Sequence, residues 1–245
     1  MRSGAASSLD ALDALDALAE RVRPATLRRD QRLPALPALE ALLPAGGLRR
    51  GSTVSVDAER GVGGATSLAL ALVAEASRAG SWVAAVGLAS LGLVAADELG
   101  VALERLVLVA APEREAWGGV AAALVDGFDC LVLSAARGVR PADARRLVAR
   151  ARERGAVLVQ LGGGSPERAD VDLRLTRSRW EGIEAGHGHL QARKVRVAAG
   201  GRGEASPPRS VDLWLPGPDG EVQVAAPVPA PAAPDRPARP LRAVS

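Results

Sequence analysis

Residues 52–79 read STVSVDAERGVGGATSLALALVAEASRA, which combines a short strand, a glycine-rich turn and an apolar helix. The periodicity predicts the strand at Ser52–Val56 and the helix at 65–79. Gly61, Gly63 and Gly64 lie between them. In such a turn, backbone amides and the helix N-terminus form a cradle for phosphate. The stretch therefore predicts an α/β unit with a candidate phosphate loop.

The same alternation continues along the chain. Further apolar strands are predicted at 82–86, 106–110, 130–133 and 156–161, and further helices at 116–125 and 141–154. Apolar strands separated by helices indicate a mostly parallel sheet covered on both faces. After residue 164 the segments 171–177, 190–198 and 211–215 alternate polar and apolar residues, as antiparallel edge strands do. The predicted fold class is α/β, with a mostly parallel sheet flanked by helices and ending in antiparallel edge strands.

The two ends of the chain differ from this core. Residues 9–22 place leucines three apart between aspartates, which predicts an amphipathic helix. Its apolar stripe would dock on its own domain or on a partner. We expect a helix and linker over residues 1–34, a core domain over 35–222, and a disordered Pro- and Ala-rich tail over 223–245.

Composition excludes several classes of protein. Among 245 residues, 48% are hydrophobic and only 2% aromatic, so the core must be aliphatic. A single cysteine, Cys130, excludes a disulfide framework and a cysteine-rich zinc site, and its apolar strand indicates an inert core residue. His187 and His189 lack further ligands nearby in sequence, so no metal is expected. With no apolar run long enough to span a membrane and no apolar leader, we expect a cytoplasmic protein.

The candidate phosphate loop lacks the residues that catalysis needs. A working loop reads GxxxxGK[ST], with lysine on the phosphates and Ser or Thr on magnesium. Here Ala65 replaces the lysine, Glu59 replaces the first glycine, and Ser134 stands where an acid should follow a later strand. We therefore expect no ATPase activity, no catalytic residues and no cofactor. The loop is either a turn without ligand or an atypical phosphate site in which an arginine of another subunit replaces the lysine. Its candidate contacts are Gly61, Gly63, Gly64, Thr66 and Ser67.

Positive charge is concentrated in one part of the chain. Residues 137–209 hold 16 basic and 8 acidic residues. This excess indicates a solvated basic face, a non-specific DNA contact or a contact with an acidic protein. Three of the candidate contacts share a helix face and six lie on the predicted hairpin around Trp180: Arg146, Arg150 and Arg154, and Arg174, Arg177, Arg179, Arg193, Lys194 and Arg196.

The order of these motifs resembles a known fold. LEALLPAGGLRRGSTVSVDAERGVGGATSLALALV (39–73), FDCLVLSA (128–135), AVLVQL (156–161) and the pair LRLTRSRWE and LQARKVRVA resemble the core of RecA-like proteins over about residues 35–215. Gln160 corresponds by this resemblance to the strand-end glutamine that senses nucleotide. The segments at 134–141 and 162–169 are shorter than the DNA-binding loops of RecA, so strand exchange is not expected.

Within that class the chain is most similar to the ImuA group of the actinobacterial ImuA-prime type, in which the Walker motifs are degenerate. This resemblance implies a role in the DNA damage response, in translesion synthesis and induced mutagenesis. The implied partners are a degenerate Y-family polymerase homologue (ImuB-like) and an error-prone polymerase. Non-specific DNA binding stays open as an alternative, and no membrane association is implied.

Overall fold

The computed structural model describes residues 31–88, 90–111, 116–134, 140–162, 169–184, 187–205 and 207–226. In this part of the chain the strands are β1 (Arg32–Pro34), β2 (Gly47–Arg49), β3 (Thr53–Ala58), β4 (Val83–Val86), β5 (Leu106–Val109), β6 (Cys130–Leu133), β7 (Val157–Leu161), β8 (Val171–Glu184), β9 (His187–Gly201), β10 (Arg209–Trp214) and β11 (Gln223–Val224). The α-helices are α1 (Ala65–Arg78), α2 (Leu93–Glu98), α3 (Trp117–Gly127) and α4 (Pro141–Arg154). Short 3-10 helices lie at Pro37–Leu42, Pro44–Gly46, Leu103–Arg105 and Gly203–Ala205.

One large sheet organises the described residues. Its nine strands lie in the order β11-β10-β9-β8-β3-β7-β6-β4-β5. β8, β3, β7, β6, β4 and β5 run parallel to one another. β9 pairs antiparallel with β8, β10 with β9, and β11 with β10. The predicted fold class is confirmed: a mostly parallel sheet flanked by helices that ends in antiparallel edge strands.

The sheet separates two aliphatic cores. On one face Val157 and Val159 pack in the same cluster as α1, whose residues 68–74 are all buried. On the other face Leu158 packs with α3 and α4 through Trp117 and Leu147. Because side chains alternate along a strand, β7 contributes to both cores, and burial on both sides explains the apolar run Val157–Val159.

Several elements differ from the prediction. The predicted linker before residue 35 includes β1, which pairs with β2 and buries Leu33. The predicted tail from residue 223 begins with β11, which pairs with β10. Neither strand shows a local signal, because each is too short for a periodic pattern and depends on a partner strand. The helix predicted at 9–22 and the tail after 226 lie outside the described residues.

The closing hairpin is also longer than its sequence pattern indicates. The structure extends β8 to 14 residues and β9 to 15 residues, with irregular register between Leu175 and Arg177 and between Glu181 and Ile183. Each shift interrupts the simple alternation of polar and apolar residues. The prediction therefore ended the first strand at the first irregularity.

Candidate functional site

The glycine-rich loop joins the end of β3 to the start of α1. Its first turn is closed by the Val62 amide, which donates to the Glu59 carbonyl at 2.9 Å, and the Glu59 amide donates to the Leu175 carbonyl of β8 at 2.9 Å. Gly64 is the N-cap of α1 with a φ of 115°, and Gly61 has a φ of 81°. Side chains other than glycine rarely adopt these angles, so the two glycines shape the loop.

Arg193 of β9 enters this loop from the hairpin. Its Nη2 donates to the hydroxyl oxygen of Ser67 at 2.9 Å, and its Nε donates to the Leu215 carbonyl at 2.7 Å. The guanidinium carbon lies 4.9 Å from the centre of the Trp180 ring. A Cβ added at Gly64 would lie 3.1 Å from that carbon, so a larger residue there would crowd the guanidinium. The loop and the hairpin therefore form one site.

The site carries uncompensated positive charge. Only 7% of Arg193 is exposed, and no carboxylate of the described residues forms an ion pair with it. Burial lowers the pKa of its guanidinium, but an arginine side chain stays protonated in proteins. The N-terminus of α1 adds a partial positive charge. The arrangement is therefore suited to an anion.

The residues at the positions that the sequence motifs give to catalysis lie at the start of α1, after β6 and near the end of β7. Ala65 is the first residue of α1, Thr66 beside it is exposed, and Ser134 follows β6 with its amide donating to the Val86 carbonyl at 3.0 Å. Gln160 lies near the end of β7, and its Oε1 is buried without a hydrogen-bond partner among the described residues. None of these side chains supplies a cation for phosphate or a carboxylate for magnesium.

The position of Arg193 corrects its interpretation as a surface contact. Residues 193, 195, 197 and 199 of β9 are buried on the side of the sheet that holds α1. Lys194 and Arg196 alternate with them and point to the opposite side, with 27% and 30% of their side chains exposed. The hairpin cations therefore do not form one surface, and Arg193 belongs to the loop instead.

Most of the other predicted contacts are neutralised by acids. Arg150 and Arg154 of α4 both contact Asp126 of α3, and the hydrogen bond from Arg150 lowers the pKa of that carboxyl. Arg146 is exposed and lies 3.7 Å from Asp143. On the hairpin, Lys194 pairs with Glu181 at 3.2 Å and lies 4.3 Å from the centre of the Trp214 ring. Arg196 donates two hydrogen bonds to Asp212, at 2.8 and 2.7 Å.

Three arginines of β8 differ from this pattern, since Arg174, Arg177 and Arg179 form no ion pair within the described part of the chain. Arg177 has a buried Nη1 without a hydrogen-bond partner there. Arg174 lines a cavity of about 380 Å³ together with Asp57 and Asp172. These three arginines are the predicted surface contacts that form no ion pair with an acid of the described residues. Asp57 and Asp172 nevertheless lie beside Arg174 in the cavity.

Sequence reasoning missed a group of exposed apolar side chains near the outer edge of the sheet. We call it the apolar edge and define it by five residues on α2, the following 3-10 helix and β5: Leu93, Val94, Leu103, Val107 and Leu108. Their exposed fractions range from 36% for Val107 to 73% for Val94. β5 is the last strand of the sheet as described, so its outer backbone groups are available to a further strand. The apolar composition of β5 had indicated a buried strand instead.

The described residues offer neither a membrane-spanning helix nor a metal site. They contain no helix that combines the length and the apolar character needed to cross a bilayer. Among them, no three or more His, Cys, Asp or Glu side chains come together in a way that could hold a metal ion. Cys130 is fully buried, as predicted.

Comparison with solved structures agrees with the fold class. The KaiC-like protein PH0186 of Pyrococcus horikoshii superposes with a TM-score of 0.55 at 16% sequence identity, covering 80% of this chain and 99% of that one. At this identity the likeness shows the fold alone. The chain therefore has a RecA-like fold.

The family is shown by sequence. The model of the MT3502 N-terminal domain matches residues 41–167, which is more than half of the chain, and the chain belongs to this family. The uncharacterized protein Rv3395c of Mycobacterium tuberculosis is 44% identical over 101 residues, covering 41% of this chain and 49% of that protein. The match thus spans about half the length of this curated relative.

Proposed function

We propose that the chain is a non-catalytic RecA-like accessory protein of the ImuA-prime type that acts in the cytoplasm. In this proposal it supports translesion synthesis and induced mutagenesis after DNA damage by contacting polymerase components. The expected partners are a Y-family polymerase homologue (ImuB-like) and an error-prone polymerase. These partners are inferred from the resemblance of the sequence motifs to the ImuA group.

The loss of the catalytic side chains carries the proposal. Phosphoryl transfer on this type of loop needs a lysine on the phosphates and a carboxylate on magnesium. Ala65 offers a methyl group and Ser134 a neutral hydroxyl at the corresponding positions. A RecA-like chain without these groups is suited to binding and assembly, and we expect no ATP hydrolysis.

The apolar edge supports action by protein contact. Exposed apolar patches on a folded protein mark interaction sites, and an outer strand can accept a strand of a partner. Val94 and Leu108, with 73% and 46% exposure, contribute the most accessible apolar surface of α2 and β5. We assign the polymerase contact to this edge.

The test is an affinity purification of the tagged chain from damaged and undamaged cells after nuclease treatment, with bound proteins identified by mass spectrometry. The wild-type chain should recover a Y-family homologue or an error-prone polymerase from damaged cells. Val94→Asp should reduce that recovery at least tenfold, since desolvating a carboxylate opposes apolar contact. Leu190→Asp is the matched control, because Leu190 is 48% exposed on the hairpin and outside the apolar edge.

Three results would count against the proposal. The first is the absence of any polymerase component from damaged cells, and the second is phosphate release from ATP with magnesium above the buffer rate. The third is recovery of nucleic acid alone when the nuclease is omitted. That result would instead favour DNA contact through Arg174, Arg177 and Arg179 on β8.

A further inference from the structure

We propose that the Gly61–Ser67 loop and Arg193 bind the phosphate group of a small ligand without a divalent metal. In this site the guanidinium of Arg193, brought by the hairpin, replaces both the loop lysine and the magnesium of an active RecA-like protein. The inference goes beyond the accessory function proposed above, because it concerns a different surface from the apolar edge.

Arg193 has no counter-charge among the described residues. Buried charges in proteins are normally paired, since transfer of an ion out of water is costly. Arg193 is more than nine-tenths buried, and its partners are a hydroxyl, a carbonyl and the Trp180 ring, all formally neutral. A bound anion would provide the negative charge that the described residues do not.

One nitrogen of the Arg193 guanidinium, Nη1, is directed into the loop. Nε and Nη2 are engaged with Leu215 and Ser67, whereas Nη1 has no hydrogen bond to the described residues. Nη1 faces Gly63, because a Cβ added there would lie 3.7 Å from it. Gly63 itself is exposed. A ligand that enters the loop from solvent therefore meets a cationic donor that no described residue engages.

The helix that follows the loop also favours an anion. α1 begins at Ala65, directly after Gly64, and runs for 14 residues. The first amides of a helix lack partners within it, and together they favour negative charge. These amides and the guanidinium of Arg193 converge on the same few residues. Two independent sources of positive potential thus point to an anion.

The chemistry of the donors selects phosphate without metal. A guanidinium presents a planar fork that matches phosphate oxygens, whereas magnesium is usually held by carboxylates. Ala65 provides no competing cation, and Ser134 provides no carboxylate for a metal. Trp180 is 41% exposed beside Arg193, so its ring offers a surface on which the base of a nucleotide can stack.

Isothermal titration calorimetry of the full chain with pyrophosphate and with ADP, each in EDTA, tests the proposal. We expect binding that EDTA does not reduce and that weakens as ionic strength rises. Arg193→Met should weaken both ligands at least tenfold. Arg78→Gln, at the opposite end of α1, removes the same charge outside the site and should change affinity less than twofold.

A second variant covers the case in which Arg193→Met fails to fold. Gly63→Asp places a carboxylate near Nη1 at an exposed position with no positive φ. It should preserve the fold and abolish anion binding, because the new side chain supplies the missing counter-charge. Equal affinity for the two ligands would support a site for phosphate alone. Tenfold tighter binding of ADP that Trp180→Ala removes would support a nucleotide site.

The proposal fails if neither ligand at millimolar concentration produces heat or raises the melting temperature. It also fails if binding requires magnesium, or if Gly63→Asp in a folded chain leaves the affinity unchanged. None of these results bears on the polymerase contact, which is assayed through Val94→Asp. The two proposals can therefore fail separately.

Discussion

The thiol of Cys130 lies on β6, between the parallel strands β4 and β7, with no exposed surface. Burial raises the pKa of this thiol to about 12, and the neighbouring Asp129 adds to the shift. The thiolate is the reactive form of cysteine, so a buried neutral thiol is chemically inert. Cys130 therefore acts in packing, and its raised pKa makes the stability of the fold depend on pH.

We predict that the free energy of unfolding falls as pH rises above about 9. The unfolded chain releases the Cys130 proton there, whereas the folded chain holds it until about pH 12. The slope should approach about 1.4 kcal/mol per pH unit inside this window. Urea unfolding between pH 8 and 11 measures it.

Cys130→Ala serves as the control for this prediction, because it removes the titrating group. Few other side chains titrate in the window, since the chain has no tyrosine and a single lysine, Lys194. The variant should lose the slope while the wild type keeps it. A stability that stays constant between pH 9 and 11 in the wild type would contradict the assigned shift.

Among the elements, the β8–β9 hairpin has the greatest influence on the site, since it carries Arg193 to the loop. Its register shifts beside Gly182, which has a φ of 102°. A Cβ at this position would overlap the carbonyl oxygen of His189 on the facing strand. Gly182 therefore permits the bulge that the hairpin needs.

We predict that Gly182→Ala destabilises the protein by about 2 kcal/mol, because it adds both backbone strain and a clash with main chain. Gly119→Ala is a matched substitution on α3, where a Cβ meets nothing within 4 Å. It should stabilise the protein by about 0.5–1 kcal/mol through helix propensity. Urea unfolding of both variants measures the difference, and shifts of the same sign would refute this account.

At the scale of the whole molecule, the sheet connects two cores. Leu158 is fully buried against α3 and α4, whereas its neighbours on β7 pack against the α1 side. Because one strand serves both cores, loss of packing on one face should be transmitted to the other. The described core is therefore expected to unfold as a single cooperative unit.

We predict that Leu158→Ala destabilises this unit by about 3 kcal/mol, as a cavity in a close-packed core does. Far-UV circular dichroism and tryptophan fluorescence should report one coincident transition in the variant, as in the wild type. Leu190→Ala, at an exposed hairpin position, should leave stability nearly unchanged. Two separate transitions would show that the cores unfold independently.

Much of this architecture could be predicted from local sequence. The parallel strands β3 to β7 and the helices α1, α3 and α4 were predicted to within about two residues, since each forms from a periodic apolar run of its own. The glycine-rich turn of the candidate phosphate loop was predicted in the same way, because a strand, the turn and a helix follow one another directly. β1, β11 and the full length of the hairpin were not, since they depend on pairing with other strands.

The electrostatics of the site depend on longer-range pairing. Arg193 and Ser67 are 126 residues apart, and their contact requires β9 to pair with β8 and β8 with β3. That register turns Arg193 towards α1 and Lys194 away from it. It also pairs Arg196 with Asp212 of β10. The sequence by itself therefore determines most helices and strands, and it shows that Ala65 and Ser134 replace the lysine and the acid of the motifs. Which cations are neutralised by acids, and that Arg193 is buried without an ion pair among the described residues, follows only from how distant strands align.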